Sequence, residues 1–253
     1  ALDYRVLNLA GNTFNENNTS YFHKSVGGYH AAKLRRYQEV IEAHIAPEMR
    51  TVMEEVVRTG GQMDSIQGSK FPVLNMLNTR WFIMPTQGGG TMPLANPYAL
   101  GNAWSVNDVK YVANANEEIA ALGVIDPATT AVVDNRFKEQ VKAISSEGII
   151  TLKEYDANRL VYECESNEGG TVVFAENYYP GWRSYIDGEE VEHGRANYIL
   201  RAMNVPAGKH IVEFYFDPQS LHITETIAYT ALTLLLIGFI VAIVLQLRKE
   251  KQT

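Results

Sequence analysis

Cysteine is nearly missing from this sequence: Cys164 is the only one in 253 residues. That excludes an intrachain disulfide and any zinc site built on several thiolates. Histidine is sparse as well. His23 and His30 stand seven apart, and no His-x-x-x-His pair or EF-hand loop occurs, so no metal is expected. A Gly-x-Ser-x-Gly elbow, a Walker phosphate loop and a GxGxxG fingerprint are all missing, and with them the usual signatures of a serine hydrolase or a nucleotide cofactor. The carboxylates are numerous but form no recognisable catalytic pair, and no cofactor is expected. An excess of positive charge is lacking too. The net charge of −7 argues against a nucleic-acid surface built on bulk electrostatics.

Charge of either sign disappears from one stretch, "IAYTALTLLLIGFIVAIVLQL", residues 227–247. As a helix it would reach about 31 Å, the thickness of a bilayer's hydrocarbon core, which predicts a transmembrane helix. Arg248, Lys249 and Lys251 follow it, while the preceding flank offers only His222 and Glu225. The positive-inside bias therefore puts residues 248–253 in the cytoplasm and residues 1–220 outside. The sequence opens on Ala1 with neither an initiator Met nor a signal segment. The economical expectation is that it forms the C-terminal piece of a longer polytopic membrane protein, with a cleaved signal peptide on a single-span protein as the alternative.

The composition of the whole sequence, 46% hydrophobic and 20% charged, suits folded domains. "DYRVLNL" alternates like a strand, and residues 29–45 place Leu34, Tyr37, Ile41 and Ile45 at helical spacing. Pro47 ends that helix or opens another that stops at Gly60 and Gly61. A buried strand is expected over Arg80–Met84, a loop over residues 85–102, a short helix in "NANEEIAALGV" and a strand in "TTAVVD". These elements predict an α+β domain over residues 1–147. From residue 148 to 220 six short alternating runs predict a small antiparallel β-sandwich close to the membrane, with a primed hairpin turn at Asp187–Gly188.

Two constellations could bind a ligand. In "SVGGYHAAKLRR" (residues 25–36) two glycines run into a helix whose opening turns carry Lys33, Arg35 and Arg36. Cations near a helix N-terminus cost about 0.3–1 kcal/mol each unless an anion is close. Gly27, Gly28, His30, Lys33 and Arg36 thus have the composition of an anion site, suited to a lipid phosphate or diphosphate. The alternative is a solvated amphipathic helix with Arg35 and Glu39 paired at i,i+4. In "NYYPGW", Tyr178, Tyr179 and Trp182 flank a Pro-Gly turn and could stack on sugar rings; the alternative is a sandwich corner or an interfacial belt near lipid.

The segments "NTFNENNTSYFHKSVGGYHAAKLRRYQEVI", "LNMLNTRWFI", "NPYALGNAWSV" and "YYPGWRSYIDGEEVEHGRANYILRAMNVPAGKHIVEFYF" resemble the extracytoplasmic C-terminal region of the YfhO family of bacterial membrane proteins. The resemblance runs from Tyr4 to the terminal span. It implies an upstream transmembrane domain of the GT-C glycosyltransferase type, residence in the bacterial cytoplasmic (inner) membrane, and transfer of a sugar from a polyprenyl-phosphate carrier to a cell-envelope acceptor. The catalytic carboxylate of that fold lies in an early loop outside this chain. On this resemblance the glycine and basic residues become contacts for the carrier phosphate or acceptor, and Tyr178, Tyr179 and Trp182 become sugar or lipid contacts. A membrane-anchored, non-enzymatic glycan-binding or scaffold module is the alternative.

Overall fold

The computed structural model describes residues 3–145 and 147–250. Strand β1 (Arg5–Asn8) is the expected opening run, with Val6 and Leu7 buried. A short helix, α1 (Asn18–Phe22), interrupts the polar loop after it. The helix expected from residue 29 begins only at Arg35. Its first part, α2 (Arg35–Val40), passes through one π-turn, Ile41–Ile45, into α3 (Ala46–Thr59). The late start has a local cause: the Ala32 N–H donates to His30 Nδ1 at 3.1 Å, a side-chain bond that competes with helical pairing. Leu34 is then extended, with ψ 129°. Gly60, left-handed at φ 63°, stops α3 where expected.

Helix α4 (Pro72–Met76) leads into β2 (Thr79–Pro85). Its first amides are capped from α3, because the buried Glu48 carboxylate accepts the Val73 and Leu74 N–H groups at 3.0 and 2.8 Å. Strand β2 pairs in parallel with β1 and antiparallel with β3 (Thr91–Ala95). The expected loop over 85–102 is therefore corrected: a hairpin occupies its first half, in register Met84↔Met92. Pro93 escaped recognition as a strand residue because it has no N–H to donate, yet β3 is an edge strand where none is required.

Strands β4 (Ala103–Ser105) and β5 (Asp108–Val112), helix α5 (Ala115–Leu122) and strand β6 (Thr130–Asp134) come next. Strands β5 and β6 are parallel neighbours. A reciprocal cap starts α5: the Asn114 side chain accepts the Glu117 N–H, and the Glu117 carboxylate accepts the Ala113 N–H, both at 3.0 Å.

The last strands are β7 (Gly148–Tyr155), β8 (Arg159–Ser166), β9 (Gly170–Asn177), β10 (Trp182–Ile186), β11 (Glu189–Glu190), β12 (Gly194–Ala196), β13 (Leu200–Val205) and β14 (Gly208–Phe216). They form a five-stranded sheet ordered β11-β10-β14-β8-β7 and a four-stranded sheet ordered β12-β13-β9-β4. Three rings join the sheets. Phe174 of the second meets Tyr162 and Phe214 of the first edge-on, each at 4.9 Å. Asp187 and Gly188 both have positive φ, 51° and 88°, as the primed hairpin requires. An α+β fold with antiparallel β-sheets and one C-terminal helix is thus the architecture.

The chain divides into two compact units, Ala1–Tyr179 with Arg183–Tyr215, and Pro180–Trp182 with Phe216–Thr253. The second holds α6 (Gln219–Glu250), an exposed helix within which 18 consecutive residues reach a mean hydropathy of 2.6. It is long and apolar enough to cross a membrane and starts eight residues before the expected span. At its base Trp182 packs on Phe216 at 5.4 Å, and the Gly181 carbonyl accepts the Asp217 N–H at 2.8 Å. Of the expected tail, residues 251–253 lie outside the described residues.

Candidate functional site

Strand β1, the loop after α1 and the approach to α2 enclose a cleft of about 390 Å³ in the first unit. Gly27, Gly28, His30 and Lys33 line it, together with Arg5, Tyr29, Tyr37 and Asn177. Four of the five residues expected to form an anion site are therefore together.

The glycines contribute shape rather than donors. The Gly27 N–H already donates to Ser25 Oγ at 3.1 Å and the Gly28 N–H to the Thr13 carbonyl at 2.6 Å. A Cβ at residue 27 would collide with that same Thr13 carbonyl, and residue 28 has φ +105°, so both positions require glycine to close the loop. Both glycine amides are therefore already engaged within the loop and offer no donor to an anion.

Polar groups for a ligand come from His30 and Lys33, with Arg5 beneath. His30 is exposed, and its Nδ1 accepts the Ala32 N–H. In the neutral ring the proton then sits on Nε2. Lys33, half-buried, holds Nζ 5.4 Å from the Phe14 ring. Arg5 donates to the Leu77 carbonyl at 3.0 Å and to Glu176 at 2.8 Å. Lys24, electrostatically coupled to that pair, is pushed down to about 8 by burial, with Glu176 opposing and Arg5 assisting the shift. Burial holds the Tyr37 phenol up at about 12, so it stays a donor, to the Val26 carbonyl at 2.7 Å. Among the described residues none of those lining the cleft is a carboxylate, Glu176 meeting Arg5 from outside the lining.

Arg36 is elsewhere. Its guanidinium lies 4.3 Å over the Tyr198 ring and 3.3 Å from Glu118 Oε2. Glu118 is fully buried, takes a second ion pair from Arg195 at 2.9 Å, and accepts the Tyr198 N–H at 3.1 Å. Arg35 pairs with Glu39 at 2.9 Å. The cations at the helix start thus have internal anions, which answers the charge puzzle at that helix without a ligand.

The aromatic constellation is also divided. Tyr178 packs edge-on against Phe137 and His193, at 5.3 and 5.6 Å. Tyr179 is exposed, and Trp182 belongs to the second unit. Among the described residues no group of histidine, cysteine and carboxylate side chains is placed to hold a metal ion.

Arg5 is the cleft residue that sequence reading missed. The available signal was a cation inside an otherwise apolar alternating strand.

The family model described as "Bacterial membrane protein YfhO" matches residues 123–228. No curated protein and no solved structure matches the chain. Most of the cleft lies ahead of the matched span, with Ala175 and Asn177 inside it. From the end of α5 through the sandwich to the start of the apolar helix, residues 123–228 are thus similar to the YfhO family of bacterial membrane proteins.

Proposed function

We propose that this chain is the carrier-binding, extracytoplasmic end of a polytopic glycosyltransferase. In this reading the transferase moves a sugar from a polyprenyl-phosphate carrier to a cell-envelope glycan. The transmembrane domain that supplies the catalytic carboxylate lies upstream, α6 crosses the cytoplasmic membrane, and Arg248 and Lys249 face the cytoplasm. One observation carries the proposal: a cleft of ligand size joins His30, Lys33 and Arg5, and none of its described lining residues is a carboxylate. The family match to a membrane protein supports it. Tyr179 is left as a lesser sugar or lipid contact.

The lack of a lining carboxylate also favours a second reading, a membrane-anchored module that binds an envelope glycan or scaffolds another enzyme without chemistry of its own. Calorimetric titration of the full chain in nanodiscs with a short-chain prenyl phosphate separates the two. Saturable binding that weakens tenfold or more in a folded His30→Ala, Lys33→Ala variant is expected, since hydrogen bonds to charged groups contribute about 1.5–3 kcal/mol each. Binding unchanged in that variant overturns the carrier site. Binding of envelope oligosaccharide but not of the prenyl phosphate establishes the second reading.

A further inference from the structure

Beside the cleft, α1 and the loop after it present three large aromatic side chains to solvent: Tyr21 is 83%, Phe22 69% and Tyr29 56% exposed. They come from one braced lobe. The Gly28 N–H donates to the Thr13 carbonyl and the Tyr29 N–H to the Glu16 carbonyl, at 2.6 and 3.0 Å, which lays residues 28 and 29 alongside the start of α1. Asn8 Nδ2 donates to Thr19 Oγ1 at 2.9 Å, tying α1 to the end of β1. Other exposed apolar side chains of the first unit, such as Val57 and Val124, are scattered along the chain.

The charge around the lobe is one-sided. In a chain of net charge −7, residues 17–38 contain no Asp or Glu, but do contain Lys24, Lys33, Arg35 and Arg36. The nearest preceding acid, Glu16, is spent locally on the Thr19 N–H at 2.9 Å.

We infer that this lobe seats on an anionic lipid surface, with Tyr21, Phe22 and Tyr29 entering the headgroup layer and Lys33 meeting lipid phosphates. Aromatic rings with one apolar and one polar end partition to that layer. Arg35 and Arg36 are held by Glu39 and Glu118, so Lys33 is the basic side chain the lobe offers, and such a cation is drawn to anionic headgroups within about a Debye length. A lipid surface fits this chain because α6 is itself apolar enough to cross a bilayer.

The test uses the full chain in proteoliposomes of phosphatidylglycerol and brominated phosphatidylcholine, with a bimane label at Phe22→Cys or, as control, at Val124→Cys. Buried Cys164 stays unlabelled. Quenching by bromolipid several-fold stronger at residue 22 than at 124, and reduced when phosphatidylglycerol is omitted, is the expected result. Equal quenching at the two positions overturns the proposal. So does a residue-22 label shielded from both bromolipid and aqueous iodide, because a protein partner then covers the lobe. Quenching that ignores phosphatidylglycerol refutes the requirement for anionic lipid.

Discussion

Arg36 lies 3.3 Å from Oε2 of Glu118, a carboxylate with no exposed side-chain surface. Arg195 reaches the same oxygen from β12 at 2.9 Å, so one buried charge is shared between two guanidinium groups from distant parts of the chain. Removing one partner of such a group leaves the other charge poorly compensated.

Arg36→Ala is therefore expected to lower stability by about 1–3 kcal/mol and to leave ligand affinity at the cleft unchanged. Denaturant unfolding read beside the prenyl phosphate titration checks this. A variant with an unchanged midpoint and lost binding would return Arg36 to the site.

Glycine substitutions separate shape from chemistry. Gly27→Ala drives a Cβ against the Thr13 carbonyl, and Gly28→Ala forces alanine to φ +105°, so each should cost about 1–3 kcal/mol. Gly11→Ala, with open space around the new methyl group, should leave the melting temperature nearly unchanged. Equal melting temperatures for all three variants would contradict the close approach to Thr13.

His193 supplies a pH dependence. Burial, aided by the positive charge of Arg201, pushes its imidazole down from 6.5 to about 4. Between those values the unfolded chain takes up a proton that the folded chain refuses, so stability falls as pH drops through the window. Against parent, His193→Leu should gain up to about 3 kcal/mol across it. Glu48 has the opposite sign: burial lifts it to about 7 against the amide bonds from Leu74 and Val73. The folded chain then holds the extra proton, and this contribution weakens as pH rises from 4.5 to 7. Unfolding free energies of parent, His193→Leu and Glu48→Gln on either side of the windows read both slopes.

Cys164 should resist thiol reagents. It is buried on β8, and burial holds its thiol up at about 12, leaving almost no thiolate at neutral pH. Full reaction in denaturant and none in the native protein is the expected outcome, and prompt native labelling would show that β8 opens.

Elements whose cause is local were readable in the sequence. The stop of α3 at Gly60, the Asp187–Gly188 hairpin and the uncharged run in α6 each depend on residues beside them. Strands β3 and β4 were not readable: a short run containing Pro93 and a run of three residues become strands only when β2 and β9 supply partners. The site divides the same way. Lys33 and Arg36 stand at i,i+3 and would share a face if the helix began at residue 29. Because the Ala32 N–H bonds to His30 and the helix waits until Arg35, the two side chains part, one to the cleft and one to Glu118. The place of Arg5 in the cleft could not be read from sequence because Leu77 and Glu176, which hold it, reach it only through the fold.

The pairing of β4 with β9, Ala103 opposite Phe174 and Trp104 opposite Val173, imposes an order on biosynthesis. As the chain emerges from the ribosome, β4 must remain unpaired until β9 follows it, and contacts this distant in sequence form slowly. Until then Trp104, which in the finished protein is almost fully buried and donates to the Pro127 carbonyl, is open to solvent. A nascent chain arrested between these two strands would present that indole to chaperones, and release past residue 177 would withdraw it.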